Sequence, residues 1–229
     1  MDNKKEPFAQ CSRCLFEDRY CERVNGKSLP DCSSKLYEKE LEEAKTLYQE
    51  EDTLRFAAEA ARQEASCYRF LEDGTRLATK PRIQEAIEFC KRMGYKRLGL
   101  AFCKGLKFEA AALAKILEEH GFTVVSVNCK VGGVDKSFLG IEDGEKSSGR
   151  EHDSMCNPIA QAKILNAEHT DFNLLLGLCV GHDSLFLKHS DALSTIIVAK
   201  DRVMDHNPLA ALYTSNMYYK NALHPKKQK

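Results

Sequence analysis

Arg97-Leu98-Gly99-Leu100-Ala101-Phe102-Cys103-Lys104-Gly105 is the stretch on which the fold turns. Its short apolar run suits a strand buried on both faces, as strands of parallel sheets are. A helical pattern follows from about Lys107 to His120, closed by Gly121. The alternation then repeats. Phe122–Val127 reads as a second strand, ending at Asn128-Cys129, and Asn157-Pro158 opens a helix running to about Glu168. Asp171–Leu178 makes a third strand that ends at Cys179, and a short helix begins near His182. Leu193–Ala199 is the fourth strand, with Lys200-Asp201-Arg202 at its end, and Asn207-Pro208 opens a last short helix through Tyr213.

Strands alternating with helices imply right-handed crossovers and a parallel sheet covered on both faces. The expected class is therefore α/β: a three-layer α/β/α sandwich with a parallel sheet of about four strands, Rossmann-like in plan. Ligands of such sheets bind outside the carboxyl ends of the strands, where loops and helix N-termini converge.

Upstream, Thr79-Lys80-Pro81 starts a helix that ends at Gly94, and Ile83, Ala86, Ile87 and Cys90 fall on one face of it. Cys90 thus reads as a small core residue. Ser33 and Ser34 offer an N-cap for a helical run from about Lys35 to Leu71, closed by Asp73-Gly74. Leu36, Leu41, Ala44, Leu47, Tyr48 and Leu54 give that run, one long helix or a pair, a rough apolar stripe. Residues 7–34 hold four cysteines but almost no apolar periodicity, so hydrophobic burial alone does not order them. The expected organisation is a cysteine-rich metal-binding module over 1–34, a helical connector over 35–78, an α/β domain over 79–223 and a disordered tail over 224–229.

Lys plus Arg and Asp plus Glu each total 34, so no net field favours nucleic acid or an anionic membrane. The opening residues lack a signal peptide's apolar run, and no stretch approaches the ~18 apolar residues of a membrane span. A cytoplasmic location is expected. Thiols are mostly kept reduced there, so the ten cysteines read as metal ligands, reactive groups or buried small residues before disulfides. The expected partners are metal ions and a small-molecule substrate or redox partner, without nucleic acid or membrane.

The cysteines fall into two groups. Cys11, Cys14, Cys21 and Cys32 lie close together in sequence, and four thiolates over such a span can enclose one tetrahedral ion or a four-iron cluster. Their spacing matches neither a zinc ribbon nor a bacterial ferredoxin, which leaves zinc and iron–sulfur open. Cys103, Cys129, Cys156 and Cys179 are dispersed, yet each lies beside a strand end or helix start and should face the same sheet edge. There they are candidate cofactor ligands, for a second iron–sulfur cluster. Cys179-Val-Gly-His182-Asp183 is the sharpest part of this set. Gly181 permits a tight turn into a helix whose N-terminus favours a thiolate, with His182 as proton carrier and Asp183 as its orienter.

Lys104, Asp135, Lys136, Lys200, Asp201 and His206 lie in loops expected near that edge, and Cys67 reads as core or as a further thiol. The 26 residues between Cys129 and Cys156 exceed the ~12–15 of an ordinary structureless loop and read as a lid. There is no GxGxxG after the first strand and no GxxxxGK[ST], so the usual cradles for dinucleotides and P-loop nucleotides are missing. HExxH and GxSxG are missing too.

Cys11-x2-Cys14-x6-Cys21, Leu100-Ala101-Phe102-Cys103, Gly177-Leu-Cys179-Val-Gly-His-Asp183 and Lys200-Asp201-Arg202…His206-Asn207-Pro208 together resemble a domain-of-unknown-function family. Its members are small, cysteine-rich, predicted metal-binding proteins, chiefly of anaerobic bacteria and archaea. The resemblance spans nearly the whole chain. It implies metal binding through the N-terminal cysteines and those of the α/β domain, and an anaerobic setting tilts the edge thiols toward iron and sulfide. The expected function is metal binding at the N-terminal site, with redox, electron-transfer or sulfur chemistry on a small molecule at the edge. Two alternatives stand beside it: a cysteine-nucleophile transferase or hydrolase using Cys179 with His182, and a non-enzymatic zinc-stabilised binding module.

Overall fold

The computed structural model describes residues 7–224, so the tail expected over 224–229 lies, beyond His224, outside the described residues. The chain forms two compact units that divide between Arg62 and Gln63. In the first, residues 7–32 form an irregular segment with one short 3₁₀ turn at Cys11–Arg13. Helices α1 (Ser33–Leu36), α2 (Glu38–Leu47) and the start of α3 (Glu51–Ser66) follow. None of the described residues from 7 to 62 is buried.

The long helical run read from the sequence is corrected here: it is three helices, and it stops at Ser66. Residues 68–78 instead form an antiparallel hairpin, β1 (Tyr68–Phe70) with β2 (Arg76–Ala78). Asp73-Gly74 is its turn, with Gly74 at φ 83° and the Asp73 carboxylate accepting the Thr75 amide at 2.9 Å. Asp-Gly is a strong hairpin signal, and here it outweighs the Glu-rich run before it.

The second unit continues with α4 (Arg82–Met93), β3 (Arg97–Phe102), α5 (Lys107–Glu119), β4 (Thr123–Asn128) and α6 (Pro158–Ala167). It ends with β5 (Phe172–Leu176), α7 (His182–His189), β6 (Ser194–Val198), α8 (Pro208–Tyr213) and α9 (Lys220–Leu223). The four-stranded sheet has the order β4-β3-β5-β6 with every pair parallel, as the βα alternation requires. The β3–α5–β4 and β4–α6–β5 crossovers run in opposite directions, so right-handedness puts α5 and α6 on opposite faces. A three-layer α/β/α architecture results.

On the α6 and α7 face, Ala101, Val127, Leu175, Ala162, Leu165 and Phe186 form one buried cluster. On the other face, Phe172 packs 5.7 Å from Phe89 and 5.6 Å from Tyr95, ring centre to ring centre. Gly99 is required where it stands, because a Cβ there would overlap the Asn173 side chain on the neighbouring strand. Asn173 is fully buried but satisfied, accepting from Thr170 Oγ1 at 2.8 Å and donating to Ser190 Oγ at 2.9 Å. Among the described residues, no helix is long and apolar enough to cross a membrane.

This strand order fixes where a ligand can bind. The β3-to-β4 crossover runs one way and the β4-to-β5 crossover runs back past β3, which opens a crevice between the carboxyl ends of β3 and β5. Sheet-like pairing continues past the strand ends there: Cys129 N donates to Phe102 O, Cys103 N to Leu176 O and Gly177 N to Val198 O.

Candidate functional site

All four N-terminal cysteines line one cavity of about 80 Å³, together with Arg19, Tyr20 and Asp31. The backbone folds back to bring them there: Tyr20 N donates to Lys27 O at 2.8 Å and Lys27 N to Asp18 O at 2.7 Å. Gly26 permits this close approach, since a Cβ there would overlap the Arg19 carbonyl. Cys32 O caps the start of α1 by accepting the amides of Lys35 and Leu36, and Cys11 Sγ lies 2.9 Å from Ser33 Oγ. Leu15 and Val24 project into solvent at 88% and 94% exposure, so apolar burial does not hold this segment together.

At the sheet edge, three of the four dispersed cysteines come together. The Cys129 and Cys156 sulfurs are 3.9 Å apart, and Cys129 also shares a hydrogen bond with Cys103. Cys129 is buried between two partly exposed thiols. The bond from Asn157 N to Cys129 O, 2.7 Å, ties the base of the long loop and places Cys156 beside Cys129.

The hydrogen bond from Cys129 pulls the Cys103 thiol down to about 5, assisted by the Gly105 amide and by Lys200 Nζ at 3.4 Å. The same donor, then His182 and the positive charge of Lys130, bring Cys156 down to about 4. Cys129 is pushed up by its side-chain hydrogen bonds with Cys103 and Cys156 and by its own burial. His182 is raised by its bond to Cys156. The two outer thiols are thus drawn toward the thiolate form and the central one toward the thiol, with His182 beside Cys156 and Lys200 Nζ beside Cys103.

Cys179 is engaged elsewhere, its sulfur accepting from Arg202 Nη2 at 3.0 Å. The turn expected after it is present, with Gly181 at φ 83° and the Cys179 carbonyl accepting the amides of His182 and Asp183. His182, however, bonds to Cys156, and the Asp183 carboxylate accepts from the Ser184 amide at 2.8 Å. The expected order of thiol, imidazole and carboxylate from one segment is replaced by a pair formed across two elements.

The remaining candidates separate cleanly. Lys200 reaches Cys103, and the Lys104 amide, not its side chain, donates to Cys129 Sγ at 3.2 Å. Asp201 caps its own loop by accepting the amides of Val203 and Met204, which lowers its carboxyl, and the His206 ring accepts the Asp201 amide. Asp135 and Lys136 belong to the ion-pair network of the loop between Cys129 and Cys156. Cys67 is buried and donates to Gln63 O at 3.1 Å. Cys90 is wholly enclosed, and burial pushes its thiol up to about 12.

As they stand, no group of three or more His, Cys, Asp or Glu side chains among the described residues is arranged to hold a metal ion. The N-terminal four surround a space without closing on a point. Their donor chemistry nevertheless fits a thiophilic metal, being all thiol around an opening wider than one ion needs.

Two solved structures are similar to parts of the chain. One is Dph2 from Pyrococcus horikoshii, 21% identical with a TM-score of 0.28, covering 43% of this chain and 22% of that one. The other is Dph2 from Pyrococcus horikoshii with a 4Fe-4S cluster, 18% identical with a TM-score of 0.33, covering 63% and 34% respectively. The chain thus spans about a third or less of those proteins. A full-length relative is the uncharacterized protein MJ0455 of Methanocaldococcus jannaschii, 45% identical over 213 residues, which is 92% of this chain and 95% of that protein. Residues 32–197 match the model of a family described as proteins of unknown function, DUF1847. On the extent of that match and of the archaeal relative, this chain belongs to the DUF1847 family.

Proposed function

We propose that this protein binds a metal centre at Cys11, Cys14, Cys21 and Cys32, and carries out redox or sulfur chemistry on a small molecule at the sheet edge. The observation that carries the first part is convergence: four cysteines spread over 22 residues line one cavity in a segment with no buried residue. A segment that lacks a core gains order from a staple, and thiolate–metal bonds are the kind its residues can supply.

The cavity size favours an iron–sulfur cluster over zinc. Four thiolates at ~2.3 Å from one zinc leave no space between them, whereas ~10–15 Å³ already admits a water. About 80 Å³ is room for a multi-atom core. When bound, such a cluster supplies one-electron transfer; the four cysteines would hold it, and Arg19 and Lys27, which also line the cavity, would offset its negative charge.

The test is metal and acid-labile sulfide analysis of full-length protein purified without oxygen. Iron and sulfide in near-equal amounts, both lost in Cys14→Ser and Cys32→Ser, are expected. Zinc without sulfide would replace the cluster by an ion, and full metal retention in both variants would sink the site.

A cysteine-nucleophile reading is also favoured by one observation, the contact of His182 with Cys156. It moves the nucleophile from Cys179 to Cys156. Selective labelling of Cys156 over Cys179 at neutral pH supports it; the reverse order removes it.

A further inference from the structure

We propose that Cys156 and Cys129 form a dithiol–disulfide couple that reduces small disulfides, with Cys156 attacking, Cys129 resolving and His182 and Cys103 handling the protons. This deepens, and rests on, the reading of the sheet edge as a redox site. The two sulfurs lie 3.9 Å apart although 27 positions separate them in the chain. A disulfide needs ~2.05 Å between sulfurs and closely spaced Cα atoms. The Cys129 O···Asn157 N bond already holds the two backbones together, so side-chain rotation is the movement left to make.

The two thiols differ in the way such a couple requires. Cys156 is partly exposed, stands just before the ten-residue helix α6, and bonds to His182 at the start of α7. Cys129 is 4% exposed, out of reach of a substrate but in reach of Cys156. Attack from solvent therefore falls on one sulfur and resolution on the other. Ionisation agrees with this division, since Cys156 is held down and Cys129 is pushed up.

The chemistry balances with the groups present. Cys156 thiolate attacks one sulfur of the substrate RS–SR, the S–S bond breaks, and RS⁻ leaves with the proton of the His182 imidazolium. Cys129 then passes its proton to the Cys103 thiolate and attacks Cys156 Sγ. The mixed disulfide breaks, and the second RS⁻ departs and takes that proton from Cys103. Both electrons come from the Cys129–Cys156 pair, which ends as a disulfide, and the substrate ends as two thiols. Cys103 returns to thiolate, the form that Lys200 and the Gly105 amide favour. Lys200 and Arg202 bring positive charge to this edge, so the substrate class is a small disulfide bearing carboxylates.

Glutathione disulfide is a suitable probe, added without oxygen to reduced full-length protein. Peptide mapping should show a bond between Cys129 and Cys156, with both halves of the probe released as thiol. In Cys129→Ser the reaction should stop at a mixed disulfide on Cys156, and in Cys156→Ser probe reduction should slow at least tenfold. His182→Gln should move the pH of half-maximal rate upward, which a merely structural role would not do. One measurement needs no variant: alkylation of the unmodified protein at pH 6 should label Cys156 at least tenfold faster than Cys90. Absence of the Cys129–Cys156 bond, or a mixed disulfide trapped on another cysteine, overturns the proposal. Metal content of the same samples separates the two readings. Metal retained without the disulfide rejects this couple alone; the disulfide formed in protein lacking metal rejects the N-terminal site alone.

Discussion

Cys129 controls the edge from within, as a buried thiol hydrogen-bonded to two partly exposed neighbours. The consequence for reactivity has a definite sign. A thiol whose pKa is lowered is ionised above that value, so alkylation of Cys156 should be nearly flat from pH 8 to pH 5 and fall below about 4. Cys90 gives the contrast: with its thiol near 12, it should stay unlabelled in the folded protein through pH 9 and react only on unfolding. Gly177 gives a structural test at the same edge. It sits at φ 64°, and a Cβ there would overlap Leu106, so Gly177→Ala should lower stability by about 1–3 kcal/mol in a urea titration. The sequence places Cys103, Cys129, Cys156 and Cys179 near one edge because each adjoins a strand or helix end. It does not say which thiol His182 meets, since that contact depends on how 26 intervening residues return Cys156 to the sheet. Nor does it show that Arg202, two positions beyond a recognisable lysine, would occupy Cys179.

The loop between Cys129 and Cys156 is the element whose character length alone misjudges. Its 26 residues suggest a lid, yet Lys136 pairs with Asp153 at 2.6 Å, and Lys146, 5% exposed, pairs with Asp135 at 3.2 Å and Asp143 at 2.8 Å. The Asp135 carboxyl is lowered chiefly by the amides of Ser137 and Asp153, and Asp153 is brought to about 2 by Lys136. Carboxyls lowered on folding stabilise the loop above their ordinary value of ~3.9 and lose that contribution as pH falls through the folded value. Cleavage of residues 135–153 by an acid protease should therefore rise steeply between pH 4 and pH 2, ahead of cleavage within the sheet. Strands, by contrast, were legible to within a residue or two, because β3 and β5 are near-continuous apolar runs. The hairpin was not. Each of its strands has three residues, mostly exposed, so only the Asp-Gly turn marks it.

At the scale of the molecule, the two units are ordered by different means. The sheet unit buries Leu98, Leu100, Leu165, Leu174 and Leu175 almost completely, so Leu100→Ala should cost it about 2–5 kcal/mol. None of the described residues before Gln63 is buried, and at Cys11–Cys32 the proposed metal would supply the order that a core does not. A strong chelator should then expose residues 7–34 to trypsin while the β3–β6 sheet stays resistant; equal resistance with and without chelator would contradict the assignment. The fold class was readable because burial on both faces writes itself into consecutive apolar residues, whereas a thiol cavity leaves only spacing as its trace. The pinched base of the long loop carries a practical corollary. Cys129 O···Asn157 N and Val134 O···Met155 N hold the two ends whatever lies between. Lengthening a closed loop costs only ~0.6 kcal/mol per doubling. A fluorescent or affinity tag spliced at the exposed tip near Gly149 should therefore leave the thiol pair in register, making this loop a built-in attachment point for reporting on the edge in living cells.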